Sequence, residues 1–356
     1  MRILALHASF SSFFSACFRT AVEEQGFEIR LVCSKPSGEA LFSDEIYHYS
    51  KVLDWQFRED LGISEMRSLI KEFRPDAIIT SGWMYSDYLK LCKEYRKEGG
   101  LVIAFSDTQF QGRIKQRVGC MIAPWLLHPS IDYVCVPGER QRDYARRLGF
   151  GIHQICEPML CCNWQLFSDF RKPLTTVPRA FIYAGRMLKI KGVDLLVQAY
   201  ELYRSQVENP WSLKLVGDGP VAAGANNSPG ISRSAFVQPS ALPQLMREAR
   251  CFILPSRLEA WGVVLQEAAA LGLPLIATEA CGAAVHLIRD GVNGFLAQTG
   301  SVESIALQMQ KIHHKNDSEL QEMSEVSHKL SQQFLPSYWA RMIASKVRPS
   351  SDRKIL

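Results

Sequence analysis

Residues 251–274, CFILPSRLEAWGVVLQEAAALGLP, leave little choice of local structure. They read as an apolar run, then a turn containing Pro255 and Gly262, then an alanine- and leucine-rich run from Val263 to Leu271. A short continuous apolar run suits a buried strand, and the run after Gly262 has the length and composition of a helix. A strand-to-helix turn of this kind aims backbone N–H groups and the positive end of the helix dipole beyond the strand, where an anion is favoured. Here those N–H groups belong to Gly262, Val263 and Val264. Glu259 lies in the turn and Glu267 about one turn inside the helix, so both carboxylates can face one ligand. Taken alone, the pair reads equally as a solvated loop acid and an ordinary acid on a helix surface.

The flanking segments add cations. FIYAGRMLKIKGVDLLVQAY, residues 181–200, reads as a strand ending at Ala184, a turn at Gly185-Arg186, and a helix with Val193, Leu196, Tyr200 and Tyr203 on its apolar face. Arg186 and Lys191 flank that turn. Together a planar fork and a point charge would neutralise a diphosphate, though each alone reads as a surface cation. LKLVGDGP, residues 213–220, is a further strand ending in Gly217-Asp218-Gly219-Pro220, a turn that lets backbone approach a ligand closely.

In order, GR…K, LVGDGP, PS-x2-E-x7-E, GLPLIAT and DGVNGFL resemble the C-terminal half of the retaining glycosyltransferases of family 4, glycosyl transferases group 1, over roughly residues 180–300. The resemblance implies a GT-B fold: α/β, with two Rossmann-like doubly wound domains facing across a cleft. It implies that Arg186 and Lys191 hold the donor's pyrophosphate with the backbone of Gly185, Gly217, Gly262, Val263 and Val264. It further implies that Glu259 contacts the donor sugar and Glu267 the nucleoside ribose. The donor would be a nucleotide-sugar, UDP- or GDP-linked, with no separate cofactor. The acceptor would be a glycan or a lipid-linked molecule of surface polysaccharide or glycoconjugate biosynthesis. Transfer would retain anomeric configuration, and with no Asp-x-Asp triplet it would need no metal. The chain departs from many members in two places. Ala260-Trp261 stands where they carry Gly-Phe, and Ser106-Asp107 stands where they carry a histidine, so that Asp107, or His7 at the end of the first strand, takes that position. A sugar-nucleotide epimerase of the same fold and a non-catalytic sugar-nucleotide-binding relic share most of these features. A dehydrogenase does not, because His7 to Ser12 supplies no G-x-G-x-x-G turn.

With 356 residues, 47% hydrophobic and 22% charged, the chain suits two globular domains. We expect boundaries at 1–168 for an acceptor-binding domain and 179–330 for a nucleotide-sugar-binding domain, joined by a polar linker at 169–178. A terminal helix and tail, 337–356, would pack back on the first domain. Candidate N-terminal strands are 3–6, 29–33, 77–80, 101–105 and 133–136, with helices at 65–73 and 86–97. Such alternation argues for a parallel sheet. A net charge of +5 does not call for nucleic acid, and the excess includes the tail from Arg341 to Lys354. Ten cysteines in apolar contexts without a Cys-x2-Cys pair read as buried reduced thiols. They point to a cytoplasmic chain, at most peripheral on the inner face of the membrane, since no apolar run reaches the roughly 18 residues of a span.

One N-terminal stretch is unusual. Ile114, Val118, Met121, Ile122 and Trp125 recur at helical spacing, with Arg113 and Arg117 on a neighbouring face. A core-facing helix accounts for this spacing. So does a basic amphipathic helix making a peripheral membrane contact or gripping a lipid-linked diphosphate.

Overall fold

The computed structural model describes residues 1–35, 54–221 and 228–347, so the basic tail beyond Val347 lies outside the described residues. The chain divides into two compact units, Met1–Cys161 with Pro336–Leu356, and Cys162–Leu335.

In the first unit the strands are β1 (Arg2–His7), β2 (Glu28–Cys33), β3 (Asp54–Phe57), β4 (Ala77–Thr80), β5 (Leu101–Phe105), β6 (Tyr133–Cys135) and β7 (Ile155–Cys156). Among the described residues they form one sheet in the order β3-β2-β1-β4-β5-β6-β7, parallel throughout. Helices cover the sheet, so its central strands are buried runs without polar alternation, such as AIIT in β4. The expected strands and helices all form. The two that were not anticipated, β3 and β7, give weak signals: DWQF is half exposed at an edge, and IC is two residues long.

The helix Pro336–Lys346 belongs to this unit. Trp339, fully buried, packs its ring 5.5 Å from Phe18 on the helix Ser12–Gln25 and 6.1 Å from Phe105 at the end of β5. The last helix thereby closes one face of a sheet built from the start of the chain.

The second unit repeats the plan with β8 (Ala180–Ala184), β9 (Ser212–Val216), β10 (Ile231–Ser234), β11 (Cys251–Leu254), β12 (Leu275–Thr278) and β13 (Gly294–Ala297). Their order is β10-β9-β8-β11-β12-β13, again parallel. From β8 the chain winds to one edge and from β11 to the other. The direction therefore reverses between these two neighbours, where doubly wound sheets hold ligands beyond the strands' carboxyl ends.

The segment 169–178 is not a patternless linker, and the units meet at Cys161 and Cys162. Leu174 and Val177 are buried. The Leu174 N–H donates to Gln321 Oε1 at 3.0 Å, and Arg250 donates to the Val177 carbonyl at 2.6 Å while also bonding Asp317. The apolar residues Leu174 and Val177, spaced among polar ones, are too few to show a period, yet they sew this stretch onto the second unit.

All ten cysteines are free thiols, nine of them buried. The helix Ile114–Leu126 buries only Ala123, so its large apolar residues do not serve the core.

Trp339→Ala should remove the wedge between Phe18 and Phe105. Large-to-small changes at such sites cost about 3–5 kcal/mol, so urea unfolding should shift by that amount. A loss below about 1 kcal/mol would show that the terminal helix adds nothing to this core.

Candidate functional site

The loop after β8 is held against its neighbours by backbone contacts that only glycine permits. A Cβ at Gly217, at the end of β9, would stand 2.1 Å from the Gly185 carbonyl oxygen. The turn after β9 is further tied to the loop by the Met187 N–H, which donates to the Asp218 carbonyl at 2.7 Å. Gly192, with φ +71°, opens the helix Val193–Gln206, and a Cβ there would stand 2.0 Å from the Pro255 carbonyl oxygen just after β11. Two loops, 185–192 and 255–262, are thus pressed together backbone to backbone.

Arg257 fastens them. Its guanidinium forks onto the Asp194 carboxylate at 2.6 and 2.8 Å and donates to the Lys189 carbonyl at 2.6 Å. Its own N–H donates to the Ile190 carbonyl at 2.8 Å. The Arg257 hydrogen bonds hold the Asp194 carboxyl below the usual carboxylate range.

The consequence is that Lys191 Nζ forms an ion pair with Glu259 Oε2, whose side chains are 22% and 11% exposed. The same oxygen accepts from Ser256 Oγ at 3.2 Å. Beneath the loop, the Tyr183 hydroxyl donates to the Arg186 carbonyl at 2.8 Å. Its pKa is pushed up by burial first and next by the negative Glu259, with the Arg186 guanidinium opposing. Glu259 and the Arg186 guanidinium thus both act on the Tyr183 hydroxyl at the end of β8, and Lys191 joins them through its ion pair with Glu259. Arg186 itself is exposed.

Glu259 is anchored from the other side as well, since the Gly282 N–H donates to its carbonyl at 3.1 Å and the Ala283 N–H to the Trp261 carbonyl at 2.9 Å. Trp261, where a phenylalanine is common in the family resembled, is buried against Phe334, ring centroids 5.3 Å apart. The helix Val263–Ala270 then starts at Gly262 with no side-chain cap. Uncapped first-turn N–H groups are unsatisfied donors beside a positive dipole end. Glu267, half-buried on this helix, has no ion-pair partner among the described residues, and burial pushes its carboxyl up to about 7.

Of the residues proposed from sequence, Gly185, Arg186, Lys191, Gly217, Glu259, Gly262, Val263, Val264 and Glu267 all lie at the carboxyl ends of β8, β9 and β11 or in the helix that follows β11. Asp107 lies in the other unit, exposed just past β5. Its carbonyl accepts from Gln141 Nε2 at 3.3 Å. His7 is buried, 4.3 Å from the Phe14 ring and 5.7 Å from Phe105. Burial lowers its pKa to about 4, so the imidazole is neutral, and Nε2 has no hydrogen-bond partner among the described residues. Sequence reasoning missed Tyr183, Asp194, Ser256 and Arg257, whose positions beside the motif residues were the available signal. A cavity of about 680 Å³ lined by Arg179, Trp211, His313 and His314 sits at the amino ends of β8 and β9, the end of a parallel sheet that does not carry its ligand.

Comparison with known proteins follows this geometry. The family model described as Glycosyl transferases group 1 matches residues 167–329, which include every site residue of the second unit. An exopolysaccharide phosphotransferase of Streptomyces coelicolor is 27% identical over 256 residues, 68% of this chain and 26% of that protein. A capsular polysaccharide biosynthesis glycosyltransferase of Staphylococcus aureus is 28% identical over 150 residues, 39% of this chain and 37% of that protein. The chain thus spans well under half the length of these curated relatives. Among solved structures, Anabaena HepE in complex with UDP superposes with a TM-score of 0.75 at 16% identity, covering 97% of this chain and 99% of that one. The chain has the GT-B fold, with two parallel-sheet, Rossmann-like domains.

Gly192→Ala forces a methyl group into the Pro255 carbonyl at a left-handed φ. We expect a loss of roughly 1–3 kcal/mol, read as a lowered unfolding midpoint. An unchanged midpoint would mean that the two loops are free to part.

Proposed function

We propose that the chain is a metal-independent, retaining hexosyltransferase of family 4. It moves a sugar from a nucleotide-sugar donor, UDP- or GDP-linked, to a glycan or lipid-linked acceptor of surface polysaccharide or glycoconjugate biosynthesis. The observation that carries this reading is the Lys191–Glu259 ion pair, held in two loops pressed together beyond β8 and β11 and followed by a helix start with no side-chain cap. The UDP complex of the Anabaena neighbour supports a nucleotide donor.

In this reading Arg186, Lys191 and the N–H groups of Gly262, Val263 and Val264 meet the diphosphate, while Gly185 and Gly217 allow its close approach. Cleaving the sugar–phosphate bond builds negative charge on the diphosphate, so these groups hold the departing state more tightly than the ground state. Lys191 is paired with Glu259, and an arriving diphosphate draws its charge toward the phosphates. Glu259 is thereby released to accept hydroxyls of the donor sugar. Glu267 accepts the ribose hydroxyls. Retention follows from attack on the face the phosphate leaves, with the departing phosphate taking the acceptor's proton. Asp107, exposed on the acceptor-binding unit, is the remaining catalytic candidate.

A thermal-shift panel of UDP- and GDP-sugars tests the donor. A ligand at 100-fold its dissociation constant should stabilise by about 2.7 kcal/mol, and absence of any shift across the panel would remove the proposal. With labelled donor, transfer or slow hydrolysis supports the transferase, whereas a 2-epimerised product or binding alone contradicts it. Lys191→Ala should lower turnover about 100-fold. Unchanged turnover would release Lys191 from its role.

Glu267 yields a pH signature. Burial holds it up at about 7, and two hydroxyls donating to the carboxylate favour its charged form, lowering the value in the complex. Binding then releases a proton, so donor affinity is greatest above pH about 7 and falls as pH drops through that value, approaching tenfold per unit. Titrating a sugar nucleotide by calorimetry should show this slope in the wild type and none in Glu267→Gln. Equal slopes would contradict the ribose contact.

A further inference from the structure

The helix Ile114–Leu126 presents its apolar side chains to solvent. Of twelve large apolar side chains exposed among the described residues, six stand on these thirteen positions: Ile114, Val118, Met121, Ile122, Trp125 and Leu126. Ile114, Trp125 and Met121 are 81%, 77% and 71% exposed. Scattered exposed apolar residues need no explanation, but a contiguous patch of this size marks an interaction surface. At about 100° per residue, the six fall on one arc of roughly 140°. The buried Ala123 lies on the opposite side with the partly buried Gln116 and Cys120. The helix is fastened to its unit by a narrow strip, and where it faces away it is apolar apart from Lys115.

Charge identifies the occupant. Arg113, Lys115 and Arg117 are exposed on and beside this helix, and no aspartate or glutamate occurs from Thr108 to Ile131. None of the three cations pairs with a carboxylate among the described residues. A second copy would bring these cations against their own counterparts, because a two-fold contact sets the same patch on both sides. A surface of anionic headgroups over acyl chains meets both features at once, cations with headgroups and apolar arc with chains. A 13-residue helix is about 20 Å long, short of the roughly 30 Å hydrocarbon core. It therefore lies in the interface, and no helix of the described residues is long and apolar enough to cross.

We infer that the helix Ile114–Leu126 is a membrane-docking surface that sinks Ile114, Val118, Met121, Ile122, Trp125 and Leu126 into an anionic lipid interface while Arg113, Lys115 and Arg117 contact the headgroups. This surface does not rest on the donor-site reading, and its test needs no nucleotide.

The test is co-sedimentation of the full chain with phosphatidylcholine vesicles, with and without phosphatidylglycerol. The wild type should pellet with the anionic vesicles and be released by salt. Arg113→Glu with Arg117→Glu should weaken binding about tenfold or more, and Met121→Ser with Trp125→Ser should abolish it. All four side chains are exposed, so unfolding midpoints should stay at the wild-type value and report intact folding. Three results would overturn the inference: no pelleting at low salt, pelleting indifferent to both double variants, or a dimer in sedimentation velocity that Met121→Ser with Trp125→Ser dissociates.

Discussion

Two adjacent strands, β8 and β11, send the chain to opposite edges of one sheet, and the arrangement of the second unit's loops depends on that divergence. Where neighbouring strands part company, the loops above them open a crevice that needs no dedicated architecture. What remains is to hold the loops in register. Here backbone does so, because at Gly192 and Gly217 the carbonyls of neighbouring loops occupy the space a side chain would take. The fork of Arg257 on Asp194 locks one loop to the other. Groups placed by backbone contact and a bidentate ion pair keep their spacing better than groups on free loops.

Within this frame the two glutamates are electrostatically unlike. Glu259 has its counter-charge in Lys191 and a hydroxyl from Ser256. Glu267 is half-buried with neither, and its carboxyl sits near neutrality. A buried carboxyl without a donor costs stability in its charged form. The sign is explicit: with a folded pKa above the unfolded value, the group binds more protons in the native state, and stability falls as pH rises from about 4.5 to about 7. Glu267 is thus a position where the fold tolerates an enclosed carboxyl at a cost in stability once it is ionised.

Most of the architecture was legible because parallel strands buried on both faces must be apolar throughout, as AFIYA, CFIL and LIAT are. The motif residues were legible because glycine, arginine and acid occur at the ends of those strands. What escaped notice depends on partners distant in sequence. Leu174 and Val177 look like linker residues until Gln321 and Arg250 reach them. Arg257 looks like a surface cation until it meets Asp194, 63 residues away. The Lys191–Glu259 pair was equally hidden, since the family resemblance assigns each to a different part of a ligand. The helix Ile114–Leu126 carried a periodicity that fits an inward or an outward apolar face, and only burial separates the two.

The first unit shows why position at a strand end does not by itself confer chemistry. His7 and Asp107 both follow strands near that unit's own reversal, which lies between β1 and β4. His7 is enclosed by Phe14, Phe18 and Phe105 and stays neutral because no carboxylate compensates a buried imidazolium. It cannot supply a positive charge, and its unpartnered Nε2 is shielded from solvent. Asp107 is exposed just past β5. Aromatic packing thus encloses one of the two and leaves the other exposed.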